Sequence, residues 1–368
     1  MNRLSRGMVR YGFAFVLLIG LTGCGPAEST AVSSAPDAPA KVYRWKLITT
    51  WPKNLPGLGT APERLARQLK VMSNGRLDIR VYGAGELVGA FEVFDAVSQG
   101  TAEMGHGSAY YWRGKIPIAA MFSTVPFGMN AQEMNGWLQY GGGMDLWREL
   151  YEPFNLIPFA SGNSGVQMAG WFNKEINSLA DLKGLTMRIP GLGGEVLRRA
   201  GGVPVAHPGS EVFTALQTGV IDATEWVGPY NDLALALYSA AKYYYYPGWH
   251  EPGPTMESII NKEAWESLPA DLQTMIEVTT RSINDDMLSE FTARNNAALR
   301  TLIDEHGVEL RRLPDDVIAA LRTAAEAVVA ETASEDELSQ RIYDSYMSFY
   351  RDVRAYHDIT ETAYVKMR

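Results

Sequence analysis

Short runs with the alternating pattern of β-strands are interleaved, twice along this chain, with runs that carry helical spacing. That rhythm confines the fold to the α/β class. The first block reads as a strand over Val42–Thr49 (VYRWKLIT) ending at Trp51-Pro52, then an amphipathic helix over Pro62–Met72 with Leu65, Leu69 and Met72 on one face. An alternating strand over 76–82, a helix over 89–100 and a strand from Met104 toward Tyr111 complete it. The second block predicts strands at 167–172, 186–189, 203–205 and 223–227, with helical turns or helices at 179–182, 193–200 and 211–218. Two α/β lobes follow, without a sequence repeat between them, and 368 residues are enough for two.

Beyond the second block, Ala270 to His306 keeps helical periodicity with no Pro or Gly, and Gly307 stops it. A helix so far above the usual length either kinks or spans both lobes. Helices are also predicted over 314–333 and 335–356. The last has an aromatic face of Tyr343, Tyr346, Phe349, Tyr350 and Tyr356, which either docks on the core or meets a partner.

The first 23 residues have the grammar of an export signal. Arg3, Arg6 and Arg10 precede a mostly apolar run, Tyr11–Thr22, too short for the roughly 20 residues that cross a bilayer. The run ends Leu21-Thr22-Gly23-Cys24 and resembles a bacterial lipobox, which implies a lipid-modified Cys24 and a membrane anchor. The alternative is an ordinary secretory signal with an incidental cysteine. Residues 24–41, rich in Ala, Ser and Pro, read as a flexible tether. No later run reaches about 18 consecutive apolar residues, so no transmembrane helix is expected.

Several function classes lose their signatures. Cys24 is the one cysteine, which excludes an intrachain disulfide and any multi-Cys metal centre. A net charge of −9 argues against nucleic acid as a partner. The five histidines never form HExxH: His250-Glu251 runs into Pro252. Gly162–Val166 and Gly191–Val196 each lack the final glycine of a nucleophile elbow and of a dinucleotide fingerprint. The usual enzyme classes therefore lose their signatures.

Three stretches place polar groups where a core would not want them without partners: Gln167 in GVQMAGW, Arg188 in LTMRIP and Glu225-Trp226 in IDATEWVGPYN. All fall near predicted strand ends, where open α/β sheets bind ligands. Arg188 has the planar fork suited to a carboxylate ligand, but Glu225 could equally be its structural ion-pair partner. Gln167 and Glu225 could supply oxygens to a hard cation, with a bound organic acid or water completing the shell.

These stretches resemble the extracytoplasmic solute-binding proteins of TRAP transporters, the DctP-type family, and more narrowly the branch that binds 2-oxo monocarboxylates together with a cation. The matching text includes FDAVSQGTAEMGHG (94–107), VPFGMNAQEMN (125–135), SLADLKGLTMRIPGLGGEVLRR (178–199), ALQTGVIDATEWVGPYNDLA (215–234) and YYYYPGWHEPGP (243–254), and the likeness extends from about Tyr43 to Tyr356. It implies a two-lobed, type II-like periplasmic binding-protein fold with crossover strands, a long lobe-spanning helix and C-terminal helices. Lobe I would comprise 42–164 plus about 252–290, and lobe II 165–251 plus about 291–333. The segment 334–368 would be a C-terminal helix able to dimerise.

By the same resemblance Arg188 clamps the solute carboxylate, and Gln167, Glu225 and the Trp226 carbonyl hold calcium or sodium. Tyr110 and Tyr111 are candidate polar caps over the closed cleft, with packed loop aromatics as the alternative. His250 and Glu251 are further candidates. The implied partners are a small organic acid, pyruvate-like, and the membrane subunits of a TRAP transporter, in the periplasm. Lactate, another hydroxy or aromatic acid, or a signalling role remain open at this point.

Overall fold

The computed structural model describes residues 41–368, which form one compact unit; the export segment and Cys24 lie outside the described residues. In chain order the strands are β1 (Tyr43–Thr49), β2 (Leu77–Tyr82), β3 (Met104–Gly107), β4 (Leu156–Asn163), β5 (Gly170–Phe172), β6 (Thr186–Arg188), β7 (Val203–Val205), β8 (Ala223–Thr224), β9 (Tyr243–Tyr246), β10 (Thr255–Asn261) and β11 (Glu309–Arg312). They make a five-stranded sheet, β2-β1-β3-β10-β4, and a six-stranded sheet, β11-β9-β5-β8-β6-β7. In the first, β1 lies parallel to β2 and β3 while β10 runs antiparallel to β3 and β4. In the second, β6 is parallel to β7 and β8, and β5 is antiparallel to β8 and β9.

The chain crosses to the second sheet a last time between β10 and β11; before that it passes from the first sheet to the second between β4 and β5, and returns between β9 and β10. The latter two connections carry Gln167 and His250-Glu251. Each sheet is therefore built from segments distant in sequence, and the junction between sheets collects residues from both crossings.

The long apolar-periodic segment is one helix, Ala270–Asp304. Its buried residues Leu272, Ile276, Ile283, Met287, Phe291, Ala298 and Leu302 recur at the spacing that keeps one stripe inward. It packs on β4 and on the helix Thr60–Met72, and farther along on the helix Pro229–Ala234, which follows β8. Arg64 reaches Asp286 (2.8 Å) and Glu290 (2.7 Å), and the Tyr230 hydroxyl donates to Glu290 at 3.1 Å. Among the described residues no helix is long and apolar enough to cross a membrane.

The segment expected as one C-terminal helix is two, Glu337–Ile359 and Glu361–Met367; the first starts after Asp336, whose side chain accepts from the Ser339 N–H. Its aromatic face docks on the core. Tyr346 packs edge-on to Trp137 at 5.1 Å and its hydroxyl accepts the Met129 N–H at 2.9 Å; Tyr350 donates to the Phe127 carbonyl at 3.1 Å. Tyr356 is the exception and stays exposed.

Several expected elements are shorter. The strand expected over 167–172 is β5 alone, and that over 223–227 is β8 alone. The chain beyond them turns into the junction, where single backbone bonds replace the ladder: Gln167 N–H to Glu251 O (3.1 Å), Met168 N–H to Val227 O (3.1 Å) and Glu225 N–H to Arg188 O (3.2 Å). Strands β4, β9, β10 and β11 had no alternation to betray them. β10 is buried along its whole length, Glu257 included.

Candidate functional site

Arg188 ends β6, and its register partner on β8 is Thr224, immediately before Glu225. Because β6 and β8 are parallel, both chains leave the sheet on the same side, so Arg188 and Glu225 emerge together. The guanidinium is fixed on several sides. Nη1 pairs with Glu225 Oε1 and donates to the Glu225 carbonyl (3.3 Å), while Nε donates to His207 O (3.1 Å). Among the described residues, Nη2 has one hydrogen-bond partner, the Tyr111 hydroxyl, at 3.4 Å. The Trp226 indole covers the guanidinium at 5.0 Å. Burial opposes the charge on Arg188, but the Glu225 carboxylate together with Tyr111 and Tyr110 more than offsets it and holds the guanidinium's pKa above its ordinary value.

Around this pair lies a set of buried oxygens without hydrogen-bond partners among the described residues: Gln167 Oε1, Glu225 Oε2 and Glu251 Oε2. Glu225, His250 and Glu251 each bring a potential ligand atom to within 4.8 Å of the others, and all three are at most 2 % exposed. His250 Nε2 stands 3.4 Å from Glu225 Oε2, and neither ring nitrogen of His250 has a hydrogen-bond partner among the described residues. Orphaned buried oxygens are costly unless something not yet described satisfies them. Gln167 is held from its other end, its Nε2 donating to Ser164 Oγ at 3.2 Å, which points Oε1 away as an acceptor.

Burial, and next the negative charge on Glu225, push the Glu251 carboxyl well above its usual range; Arg188 and Gln167 offset this in part. The backbone adds another acceptor. The Glu225 carbonyl is taken by Arg188 and Thr224 Oγ1, and the Val227 carbonyl by Met168. The Trp226 carbonyl between them accepts no hydrogen bond among the described residues. Gln167 Oε1, Glu225 Oε2 and the Trp226 carbonyl, neutral and anionic oxygens that carry no protons, suit a hard cation such as sodium or calcium, so the donor set fits.

Aromatic side chains wall the cluster. Tyr111 packs on Tyr110 (4.7 Å), Phe91 (5.0 Å) and Trp51 (5.9 Å), and Trp51 meets Trp226 edge-on at 6.4 Å. Burial raises the pKa of both tyrosine hydroxyls, so both stay neutral donors. Gly191, at φ +64°, lets the helix Gly191–Arg199 approach Tyr110: a Cβ there would sit 3.1 Å from Tyr110 Cβ. Tyr110, Tyr111, Ile189, Pro190 and Val205 line a cleft of about 300 Å³ beside the polar cluster.

The structure thus gathers Arg188, Gln167, Glu225, Trp226, Tyr110 and Tyr111 around one point. His250 and Glu251, only further candidates in the sequence, belong to the same cluster. Trp51 was passed over as a site residue, although Thr50-Trp51-Pro52 stands out after β1. Asn231 and Asp232, which brace the Trp226 turn, carried no signal beyond their place in the DATEWVGPYNDLA stretch.

Comparison with known proteins places this geometry. Residues 48–336 match the family described as DctP, bacterial extracellular solute-binding protein, family 7. A monocarboxylate 2-oxoacid-binding periplasmic protein of Nostoc sp. is 43% identical over 321 residues, 87% of this chain and 88% of the relative. The crystal structure of a TRAP periplasmic solute-binding protein from Pseudoalteromonas atlantica, with bound sodium and pyruvate, is 43% identical at a TM-score of 0.86, covering 89% of this chain and 99% of that one. A TRAP solute-binding protein from Bordetella bronchiseptica, a mixed-occupancy dimer with copurified calcium and picolinate in one site, is 37% identical at a TM-score of 0.87, covering 89% and 97%. The chain therefore belongs to the DctP family of extracellular solute-binding proteins, receptors rather than enzymes.

Proposed function

We propose that this protein is the periplasmic receptor of a TRAP transporter, binding a small 2-oxo monocarboxylate of the pyruvate type together with sodium or calcium and delivering it to the membrane subunits. The observation that carries this reading is the convergence of unpartnered Gln167, Glu225 and Glu251 oxygens on a buried, charged Arg188. Arg188 receives the solute carboxylate through Nη2, the face of its fork left to the long Tyr111 contact. Gln167 Oε1, Glu225 Oε2 and the Trp226 carbonyl hold the cation, with Glu251 beside them. When bound, the cation offsets the repulsion between Glu225 and an anionic solute, a charge pair interaction of about 4 kcal/mol at 4 Å and an effective dielectric near 20. Tyr110 and Tyr111 close the site from the first-sheet side and exclude water.

Pyruvate and picolinate share one feature, a carboxylate with a lone-pair donor on the adjacent carbon, which lets both chelate a cation. Aromatic acids of that kind are the second reading, favoured by the picolinate-bound relative. In this proposal lobe I spans 42–164 plus about 252–290 and lobe II 165–251 plus about 291–333. Cys24 tethers the receptor to a membrane through a lipid, and residues 334–368 mediate a homodimer. The exposed Tyr356, Ile359, Tyr364 and Met367 support that last role.

The test is a thermal-shift panel on protein stripped of ligand by unfolding and refolding, with pyruvate, 2-oxobutyrate, longer 2-oxo acids, picolinate, lactate and succinate, each with and without sodium or calcium. Solute at 100 times its dissociation constant stabilises by about 2.7 kcal/mol. A shift confined to the 2-oxo acids and picolinate and enhanced by cation supports the reading. A response to lactate or succinate alone overturns the solute class.

A further inference from the structure

We infer that Asn231 is a positioning residue of the solute site, making the seating of Trp226 over Arg188 depend on docking of the Pro56 loop from the first-sheet side. The inference rests on the assignment of Arg188, Glu225 and Trp226 to that site. Asn231 lies on the helix Pro229–Ala234 and is fully buried. Its Oδ1 accepts the Trp226 indole N–H at 3.2 Å, while its Nδ2 donates to the Pro56 carbonyl at 2.6 Å. Pro56 lies between β1 and the helix Thr60–Met72, so one amide bridges a residue of the second-sheet turn and the backbone of the first-sheet segment.

Both ends of this bridge are closely packed. On the Pro56 side, Gly57 lies against the Phe291 ring so closely that a Cβ would stand 2.6 Å from it. On the Trp226 side, the indole has Gly209 packed against it, where a Cβ would meet Cη2 at 2.3 Å, and Trp51 edge-on. The next residue, Asp232, holds the turn from below: its carboxylate accepts from Trp171 Nε1 (2.9 Å), the Tyr244 hydroxyl (2.7 Å) and the Val227 N–H (3.4 Å). Asp232 bonds within the second-sheet side. Asn231 reaches across, and the indole it orients covers Arg188 and precedes the carbonyl offered to the cation. Withdrawal of the Pro56 loop would leave the Asn231 amide with a buried, unmatched donor, so the amide, and with it the indole, is released.

Two measurements test this. The Trp226 indole N–H, assigned by its loss in Trp226→Phe, should be protected from solvent exchange in the ligand-free protein. Asn231→Ala should speed its exchange by about two- to tenfold, the worth of one net hydrogen bond, and Asn231→Asp, which keeps the acceptor but loses the donor to Pro56, should speed it too, because the seating depends on that loop. In a double-mutant cycle on pyruvate affinity with sodium present, Asn231→Ala should weaken binding in the wild-type background and add little to Trp226→Phe. Unchanged exchange in Asn231→Ala, or additive losses in the cycle, would overturn the inference. If Asn231→Ala does not fold, Asn231→Asp decides: it should bind solute more weakly because the donor to Pro56 is gone, and wild-type affinity would refute the bridge. If wild-type protein binds no chelating acid, the receptor reading has failed, and the exchange measurement alone judges Asn231.

Discussion

Arg188 and Glu225 stand at the same end of two adjacent parallel strands, and the guanidinium engages both the side chain and the backbone carbonyl of its partner. The pair leaves Arg188 charged and Nη2 turned toward Tyr111. Arg188→Lys keeps the charge but not the fork. Solute affinity should fall about 10- to 100-fold, the worth of charge-assisted hydrogen bonds that a single ammonium cannot reproduce. Isothermal titration with pyruvate and sodium measures it, and near-native affinity would remove Arg188 from the solute.

Glu225→Gln should damage the protein twice over. It leaves the buried Arg188 charge uncompensated, a loss of about 3–5 kcal/mol by the measure of other broken buried pairs. It also removes the anionic ligand for the cation. The melting temperature should drop, and sodium or calcium should no longer enhance solute binding. Wild-type protein in chelator-treated, sodium-free buffer should show the same weakened binding without the drop in stability.

Gly248 sits where the return crossover passes the outbound one, and a Cβ there would lie 2.1 Å from the Gln167 carbonyl. Since the obstacle is backbone, Gly248→Ala has to part the two segments that bring Gln167 and Glu251 together. We expect a cost of at least about 1–3 kcal/mol, typical of overpacking, and weakened solute binding. Gly114→Ala, at a position with open space around it, serves as the control and should change neither.

Glu257 lies inside the first sheet on β10, bonded to Trp112 Nε1, and burial raises its pKa from 4.5 to about 7. Folded protein keeps the proton up to about pH 7, whereas the unfolded chain releases it near pH 4.5. The unfolded state therefore binds fewer protons in that window, and this group makes stability fall as pH rises through it. Glu257→Gln cannot ionise. Its melting temperature relative to wild type should rise between pH 4.5 and 7 and level off above; a difference independent of pH would show that the carboxyl is not held neutral.

How much of this was readable in advance differs from element to element. The helix Ala270–Asp304 announced itself because a stripe of apolar residues at helical spacing is a local property of the chain. Strand β10, TMESIIN, did not: buried on both faces, it loses the alternation that marks a half-exposed strand, and Glu257 within it looks like a surface residue. The site residues divide in the same way. Arg188 and Glu225 stood out as charges at strand ends, but whether they pair with each other or with a ligand was open. The structure joins them and leaves Gln167 and Glu251 oxygens unpaired alongside.

The sequence by itself determined the α/β class, the long helix and the polar residues held among apolar ones. Each follows from spacing along a few turns or a few strand residues, where backbone geometry alone decides which side chains share a face. Tertiary structure decided which of those residues meet. Gln167 and Glu251 sit on separate crossings between the sheets, joined by one backbone hydrogen bond, and Asn231 touches Pro56 from the far side of the chain. Such meetings depend on the order in which strands assemble into sheets and on the burial won when the two sheets close around the same side chains, and no local pattern records either.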